Sequence, residues 1–224
     1  MKGGIYHRLQ VDLAYNSNHM EGSKLTLDQT RLIFETATVG VEDAAVRVDD
    51  IIEAANHFRA FDFVIENAAA PLSPSLIKHL HGILKSSTMD SGKDWFAVGD
   101  YKRLPNEVAG RPTTPPERVA ADMTELFRWY GTTDRSFEDI VEFHVRFERI
   151  HPFQDGNGRV GRLVMFKECL ANGIVPFVVA DDMKFFYYRG LAEWDGERGF
   201  LLETCRAAQD ACKALLDYFR IDWR

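Results

Sequence analysis

His151-Pro152-Phe153-Gln154-Asp155-Gly156-Asn157-Gly158-Arg159-Val160-Gly161-Arg162 sets a histidine, a carboxylate, an asparagine and two arginines around a glycine-broken turn. Upstream, Ile140, Phe143, Phe147 and Ile150 fall at helical spacing, and Ser136 with Asp139 forms a capping pair. The sequence therefore predicts a helix over 136–150. Pro152 disfavours helical geometry at His151, so that helix should stop there. A second helix is predicted from Val160 to Ala171, with Leu163, Val164, Phe166 and Leu170 as its apolar side and Gly173 placed to end it. The stretch thus reads as helix, tight turn, and the N-terminus of another helix.

That arrangement suits phosphate. The first N–H groups of a helix lack internal partners and lie at the positive end of its dipole. Gly156 and Gly158 can aim further N–H groups into a concave anion site. Arg159 and Arg162, three apart, are expected to share a face and point at the loop. Asp155 can hold Mg2+, which usually takes one or two carboxylates plus substrate phosphates. His151 has the chemistry to take a proton from an attacking hydroxyl. Together these residues imply transfer of a phosphorus-containing group from a nucleotide.

The chain around this stretch has 224 residues, 46% hydrophobic and 27% charged, within reach of one globular domain. A net charge of −7 argues against a general nucleic-acid binder. Cys169, Cys205 and Cys212 are sparse, odd in number and without a Cys-x-x-Cys, so reduced thiols in helices are expected. No apolar run approaches membrane-spanning length, and Met1 to Val11 lacks a signal-peptide core. The expected location is the cytoplasm; a host-injected effector would have the same composition.

Taken in order, Ile5 to Met20 predicts a first helix that Gly22 ends. Thr26 and Gln29 form a capping box for a helix to about Thr38. An amphipathic stretch follows from Val41 to Ala69, then a helix capped by Ser73 and started by Pro74, reaching about Lys85. From Ser86 to Thr114 the helical period breaks, and a short β-hairpin turning at Leu104-Pro105-Asn106 competes with an irregular loop. Thr114, Pro115, Pro116 and Glu117 read as cap, proline start and capping-box acid of a helix to about Tyr130. After a buried connection at Val175–Val179, helices are predicted over Asp182–Trp194 and Arg198–Phe219. Most of Phe185, Phe186, Tyr187 and Tyr188 are expected in the core, with one or two as candidates to wall a base pocket. His144 is expected one helical face from the core, and His79 and His81 at the surface or boundary.

The central string matches the Fic motif, His-x-Phe-x-Asp/Glu-Gly-Asn-Gly-Arg-x-x-Arg, at every fixed position, and most of the chain resembles the Fic family. The resemblance implies one all-α domain over 1–224 with a β-hairpin flap at about 94–112. It also implies AMP transfer from ATP, with Mg2+, to a Ser, Thr or Tyr hydroxyl of an unidentified target protein. His151 would be the general base and Asp155 the magnesium ligand. Gly156, Asn157 and Gly158 would form the anion hole, and Arg159 and Arg162 would hold the outer phosphates. Gly99, Asp100, Tyr101 and Val108 would belong to the flap, which in relatives pairs with an extended target segment. Tyr187 and Tyr188 fall where relatives place aromatics beside adenine. Asp195 lies near a position where many relatives have asparagine and is assigned no role.

Ser17-Asn18-His19-Met20-Glu21-Gly22 resembles the inhibitory Ser/Thr-x-x-x-Glu-Gly/Asn motif that some Fic proteins carry ahead of the core. Glu21 would pair with Arg162, and Ser17, on the same helix face, would hydrogen-bond the carboxylate. Self-modification is expected, homo-oligomerisation stays open, and neither nucleic acid nor membrane is expected as a partner. Three alternatives stand beside this reading. Removal of AMP would use Glu21 to orient water. A Doc-like phosphotransferase would have lysine at Gly158 and lack Arg162. A nucleotide-sensing module without turnover would need no base.

Overall fold

Side-chain caps on Thr26, Ser73 and Ser136 set three of the helix starts. The computed structural model describes residues 3–40 and 45–223. Among these, α1 spans Ile5–Met20 and ends at Glu21 before Gly22. Helix α2 (Leu27–Thr36) starts on the expected capping box of Thr26 and Gln29. Helix α3 covers Val48–Glu66; the part of its predicted span from Val41 to Ala44 lies outside the described residues. Helix α4 (Pro74–Lys85) starts on the Ser73 cap with Pro74 in its first turn.

The hairpin is real but turns elsewhere. Strand β1 (Glu107–Val108) pairs antiparallel with β2 (Arg111–Pro112), Val108 opposite Arg111. Its turn is Ala109-Gly110, both at positive φ, which matches the right-handed twist of a two-residue hairpin. Leu104-Pro105-Asn106 instead leads into β1, because Leu104 N–H and the Asn106 amide are held by the central motif, at Gln154 Oε1 and the Phe153 carbonyl.

Helix α5 (Pro116–Tyr130) has Pro115 as its N-cap with no side-chain cap bond. The expected Thr114 cap does not form, because the helix starts one residue later and puts Pro115 at the cap position; the Thr114 hydroxyl donates to Asp122. Helix α6 (Phe137–Ile150) begins on the Ser136/Asp139 capping box and stops at His151, as expected. Helix α7 (Asn157–Ala171) starts three residues earlier than its apolar pattern indicated. After the chain turns through Asp181–Met183 come α8 (Lys184–Ala192) and α9 (Gly199–Tyr218).

Helix α7 is the axis of the domain. It is buried nearly all round, packed against α6, α3, α4 and α1. Its apolar residues Val160, Leu163, Val164 and Phe166 join Phe61, Leu80, Phe143, Phe147 and Phe153 in one core. A helix surrounded on every side shows no clean polar face, so its first turn was hidden in the sequence. The architecture is therefore all-α with one short hairpin. No helix among the described residues is long and apolar enough to cross a membrane. The three cysteines are free and buried, as expected.

The aromatic run of α8 corrects one expectation. Only Tyr187 is core; Phe185 and Phe186 are exposed, and Tyr188 is 39% exposed. A helix lying against α9 with one side can bury only one residue of four consecutive ones, and the others face outward.

Candidate active site

The turn between α6 and α7 is closed by its own side chains. His151 takes a left-handed conformation with φ 51°, which ends α6 and turns the chain into the loop. Phe153 N–H donates to Asn157 Oδ1 at 2.8 Å, and Asn157 Nδ2 donates back to the Phe153 carbonyl at 2.9 Å. The Asn157 side chain is thus a buried staple, and only its backbone N–H is left for an anion. Gly156, at φ 83°, caps α7 in a conformation open to glycine without strain. The first N–H groups of α7 have no intrahelical acceptor.

His151 Nδ1 lies 3.3 Å from the Glu148 carbonyl. That contact puts the ring proton on Nδ1 and leaves Nε2 as the basic nitrogen. Burial, and next the charge of Lys102, push its pKa down to about 4; the Glu148 carbonyl, Glu21 and Asp155 pull the other way. The Glu148 carboxyl is pushed up to about 8 by burial and then by Glu21.

Asp155 sits in a closed ring of charges. Lys85 Nζ is 2.6 Å from Asp155 Oδ2 and 2.5 Å from Glu53. Arg159 spans the same two acids, 2.6 Å from Glu53 and 3.1 Å from Asp155 Oδ2. Burial works to raise the Asp155 carboxyl, but Arg159 and Lys85 outweigh it and hold it well below the usual carboxylate range. Both cations close on Oδ2, so Oδ1 is the oxygen available to a metal.

The two arginines, expected to act together, have separate partners. Arg162 donates to Ser17 Oγ at 2.9 Å, to the Ser17 carbonyl at 2.9 Å and to Glu21 Oε1 at 2.7 Å. Ser17 therefore holds the arginine, not the Glu21 carboxylate as expected: its hydroxyl accepts from the guanidinium. Burial works to raise the Glu21 carboxyl, and Arg162 and then Arg159 hold it below the ordinary range. A Cβ at Gly158 would run into the Glu21 carboxylate and come within 2.8 Å of Arg162 Nη1. Glu21 thus lies directly over the first turn of α7.

His81, expected near the surface, is fully buried. Its ring stacks on Phe153 at 4.0 Å between centroids. Its Nδ1 accepts from Gly99 N–H at 3.0 Å, so Nε2 carries the proton toward the Asp155 carbonyl, 3.2 Å away. Gly99, Asp100 and Tyr101 form the root of the flap, with Asp100 2.7 Å from Lys78 and the Lys78 ammonium over the Tyr101 ring. Asp100 and Val108, the latter on β1, are the exposed ones of the four flap residues singled out.

Tyr187 is closed to a stacking base: it is buried, with its hydroxyl 2.5 Å from His144 Nε2. Tyr188 lies beside the α1 terminus, its hydroxyl 3.4 Å from the Met20 carbonyl, and with Phe185, Arg189 and Glu193 it lines an open groove of about 630 Å³. Asp195 pairs with Arg149 on the surface.

The sequence reading missed Glu53, Lys85, Lys102 and Glu148. A signal existed for one of them, Lys85. His81 and Lys85 follow Ile77 at steps of four, on the apolar stripe of α4, where a polar residue is buried and must have a partner.

The buried imidazoles make the fold sensitive to acid. His57 and His144 are lowered to about 3, and His81 and His151 to about 4, in each case first by burial. A free imidazole titrates near 6.5, so between about pH 4 and 6.5 the unfolded chain binds protons that the fold does not. Glu148, raised from 4.5 to about 8, works the other way. Four groups against one leave the unfolded chain the larger proton binder, so stability should fall as pH drops from 7 to 5. Thermal unfolding at constant ionic strength checks this; a melting temperature that is flat or rises toward pH 5 would show that these imidazoles are not held neutral.

Residues 71–169 match the Fic/DOC family and form a Fic/DOC family domain. A curated relative, "Protein adenylyltransferase Fic" of Drosophila persimilis, is 29% identical over 182 residues, covering 79% of this chain and 34% of that protein. The chain thus spans about a third of the length of the curated relatives it matches. A Fic domain containing signaling protein from Bacteroides thetaiotaomicron is 28% identical with a TM-score of 0.74, over 94% of this chain and 81% of that one. A Fic-1 fragment from C. elegans shares the fold at a TM-score of 0.77 and 21% identity, over 95% of this chain and 63% of that one.

Proposed function

We propose that this protein is a self-inhibited protein adenylyltransferase, moving AMP from ATP to a Ser, Thr or Tyr hydroxyl of a target protein and releasing pyrophosphate. The observation that carries the reading is a combination within twelve residues. A neutral His151, an ionised Asp155 and the unpaired N–H groups of α7 converge on one turn. The names of the curated relatives support it.

His151 Nε2 takes the proton as the hydroxyl oxygen bonds to the α-phosphorus. The bond from that phosphorus to the bridging oxygen breaks, and pyrophosphate leaves with the electron pair. The N–H groups of Gly156, Asn157 and Gly158 hold phosphate oxygens, and Arg162, once free of Glu21, neutralises the outer phosphates. Arg159 keeps Asp155 oriented through their shared ring with Glu53 and Lys85. Asp155, ionised and bound by both cations through Oδ2, would offer Oδ1 to Mg2+ as its one protein carboxylate, since no group of three acidic, His or Cys ligands exists among the described residues. Its other ligands would be phosphate and water oxygens. When bound, it supplies positive charge to the phosphates. An extended target segment would add a strand to the β1–β2 hairpin. Self-modification follows where a chain's own segment reaches that position.

Glu21 over Gly158 also suits the removal of AMP, with the carboxylate orienting water. One experiment separates the readings. The Glu21→Gly protein is incubated with Mg2+, lysate and ATP labelled at either the α- or the γ-phosphate. Label from the α position should enter protein, with a mass gain of one AMP. Transfer of γ-label would replace this reading with a phosphotransferase, and release of AMP from pre-labelled protein by wild type would favour the removal reaction.

A further inference from the structure

Lys102 occupies an unusual place at the root of the flap. Its side chain is buried, and its ammonium donates to Asn106 Oδ1 and Thr113 Oγ1, each at 2.6 Å, and to the Ile150 carbonyl at 3.4 Å. Its backbone N–H donates to the Pro152 carbonyl at 2.8 Å. Ile150 and Pro152 are the residues on either side of His151. Asn106 and Thr113 are the residues just before β1 and just after β2, and they bond each other through the Thr113 hydroxyl. One residue therefore grips both legs of the hairpin and both neighbours of His151.

All three acceptors of the ammonium are neutral oxygens. A buried charge without a carboxylate is costly, and burial lowers this amine to about 8. An amide or hydroxyl network could tie the loop without that cost. What a cation adds here is a charge beside His151. The groups acting on that imidazole are Lys102 on one side of the balance and Glu148, Glu21 and Asp155 on the other.

We propose that Lys102 is a positioning residue, fixing the hairpin relative to His151 so that a hydroxyl carried by a strand-bound target meets the base. It touches neither nucleotide nor target, and the inference rests on the adenylyltransferase reading. Its charge also favours the neutral form of His151.

The test compares Lys102→Met, Lys102→Arg and Thr113→Val in the Glu21→Gly protein. Lys102→Met keeps most of the stem and removes charge and donors. It should lower kcat for transfer to protein by about tenfold to a hundredfold, the scale of a misplacement near 1 Å. KM for ATP should stay within about threefold, since phosphate binding is built elsewhere. The acid limb of the kcat profile should move up, toward the ordinary imidazole value. Lys102→Arg should recover part of kcat and restore the acid limb, because it keeps charge and donors. Thr113→Val should lower kcat less and leave the acid limb in place, and it stands in if Lys102→Met does not fold. Amide exchange in the hairpin should quicken in Lys102→Met.

Equal losses in kcat and ATP binding alongside a lowered melting temperature would mean a merely structural lysine, and unchanged kcat in both Lys102→Met and Thr113→Val would also overturn the proposal. If the Glu21→Gly parent transfers no α-label, the adenylyltransferase reading fails. Hairpin exchange then still decides whether Lys102 anchors the flap: unchanged protection overturns it and faster exchange supports it.

Discussion

His151→Ala should cut AMP transfer by about 10²- to 10⁴-fold, the range that a positioned general base contributes, while leaving nucleotide binding within a few-fold. The reason is a division of labour within one loop. In the proposed mechanism phosphate is held by the N–H groups of α7 and by Arg162, and neither depends on the imidazole. Its substitution also leaves the loop closed, because the staple between Phe153 and Asn157 does not involve it. The pH profile sharpens the test. A base with its pKa lowered to about 4 is protonated only below that value, so its acid limb should lie near pH 4 and the rate should be level through neutrality on its account. An acid limb near pH 6.5 would mean that burial and Lys102 do not set the state of the titrating base. Near-normal turnover of His151→Ala would remove the residue from the mechanism.

How much of this was legible in the sequence follows from how local each signal is. Helix starts marked by Thr26, Ser73 and Ser136 are where their caps indicated, because a cap and the N–H that donates to it lie within three residues. The Thr114 cap failed because the helix starts one residue later, with Pro115 at the cap position, and the Thr114 hydroxyl donates to Asp122, eight positions on. The hairpin turn was misplaced because Asn106 resembles a turn residue in sequence, whereas its amide is held by Phe153, 47 positions away. Within the motif, the residue types were legible but their pairing was not. That Arg159 pairs with Glu53 and Arg162 with Glu21 depends on how α3 and α1 pack against α7. The same holds for His81, whose place on the apolar stripe of α4 was visible but whose partners Gly99 and Asp155 were not.

Packing also explains why the α1 terminus can act on the site. Lys184 Nζ donates to the Met20 carbonyl at 2.8 Å, and His19 Nδ1 lies 3.0 Å from Asp181 Oδ2. Asn16 Oδ1 accepts from Asp181 N–H at 2.8 Å. The last turn of α1 is thus fastened to the segment entering α8, and Glu21 is delivered from a fixed helix end.

Glu21→Gly should raise AMP transfer by about tenfold to a hundredfold. The Glu21 carboxylate lies over Gly158, where an anion approaching the first turn of α7 would have to pass, and it pairs with Arg162 at 2.7 Å. Carboxylate and phosphate use the same fork of the guanidinium, so Arg162 cannot serve both fully. ATP bound against this obstruction would have its α-phosphate displaced, and an error of about 1 Å can cost about a hundredfold in rate. Ser17→Ala should activate less than Glu21→Gly, because it removes one of three contacts to Arg162 and leaves both the Ser17 carbonyl and the carboxylate in place. Glu21→Gly with Arg162→Ala should lose the gain, since Arg162 is what the pairing withholds. Stability gives a second readout, independent of turnover. Arg162 is 3% exposed, so losing its carboxylate should cost about 1–3 kcal/mol in the nucleotide-free protein. Phosphate can replace that partner, so ATP should raise the melting temperature of Glu21→Gly more than that of wild type. If Glu21 were only a solvated acid at a helix end, neither rate nor ATP-induced stabilisation would change. That paired outcome would end the inhibitory assignment, whereas a faster rate with a larger ATP shift would tie the inhibition to the one guanidinium that both anions need.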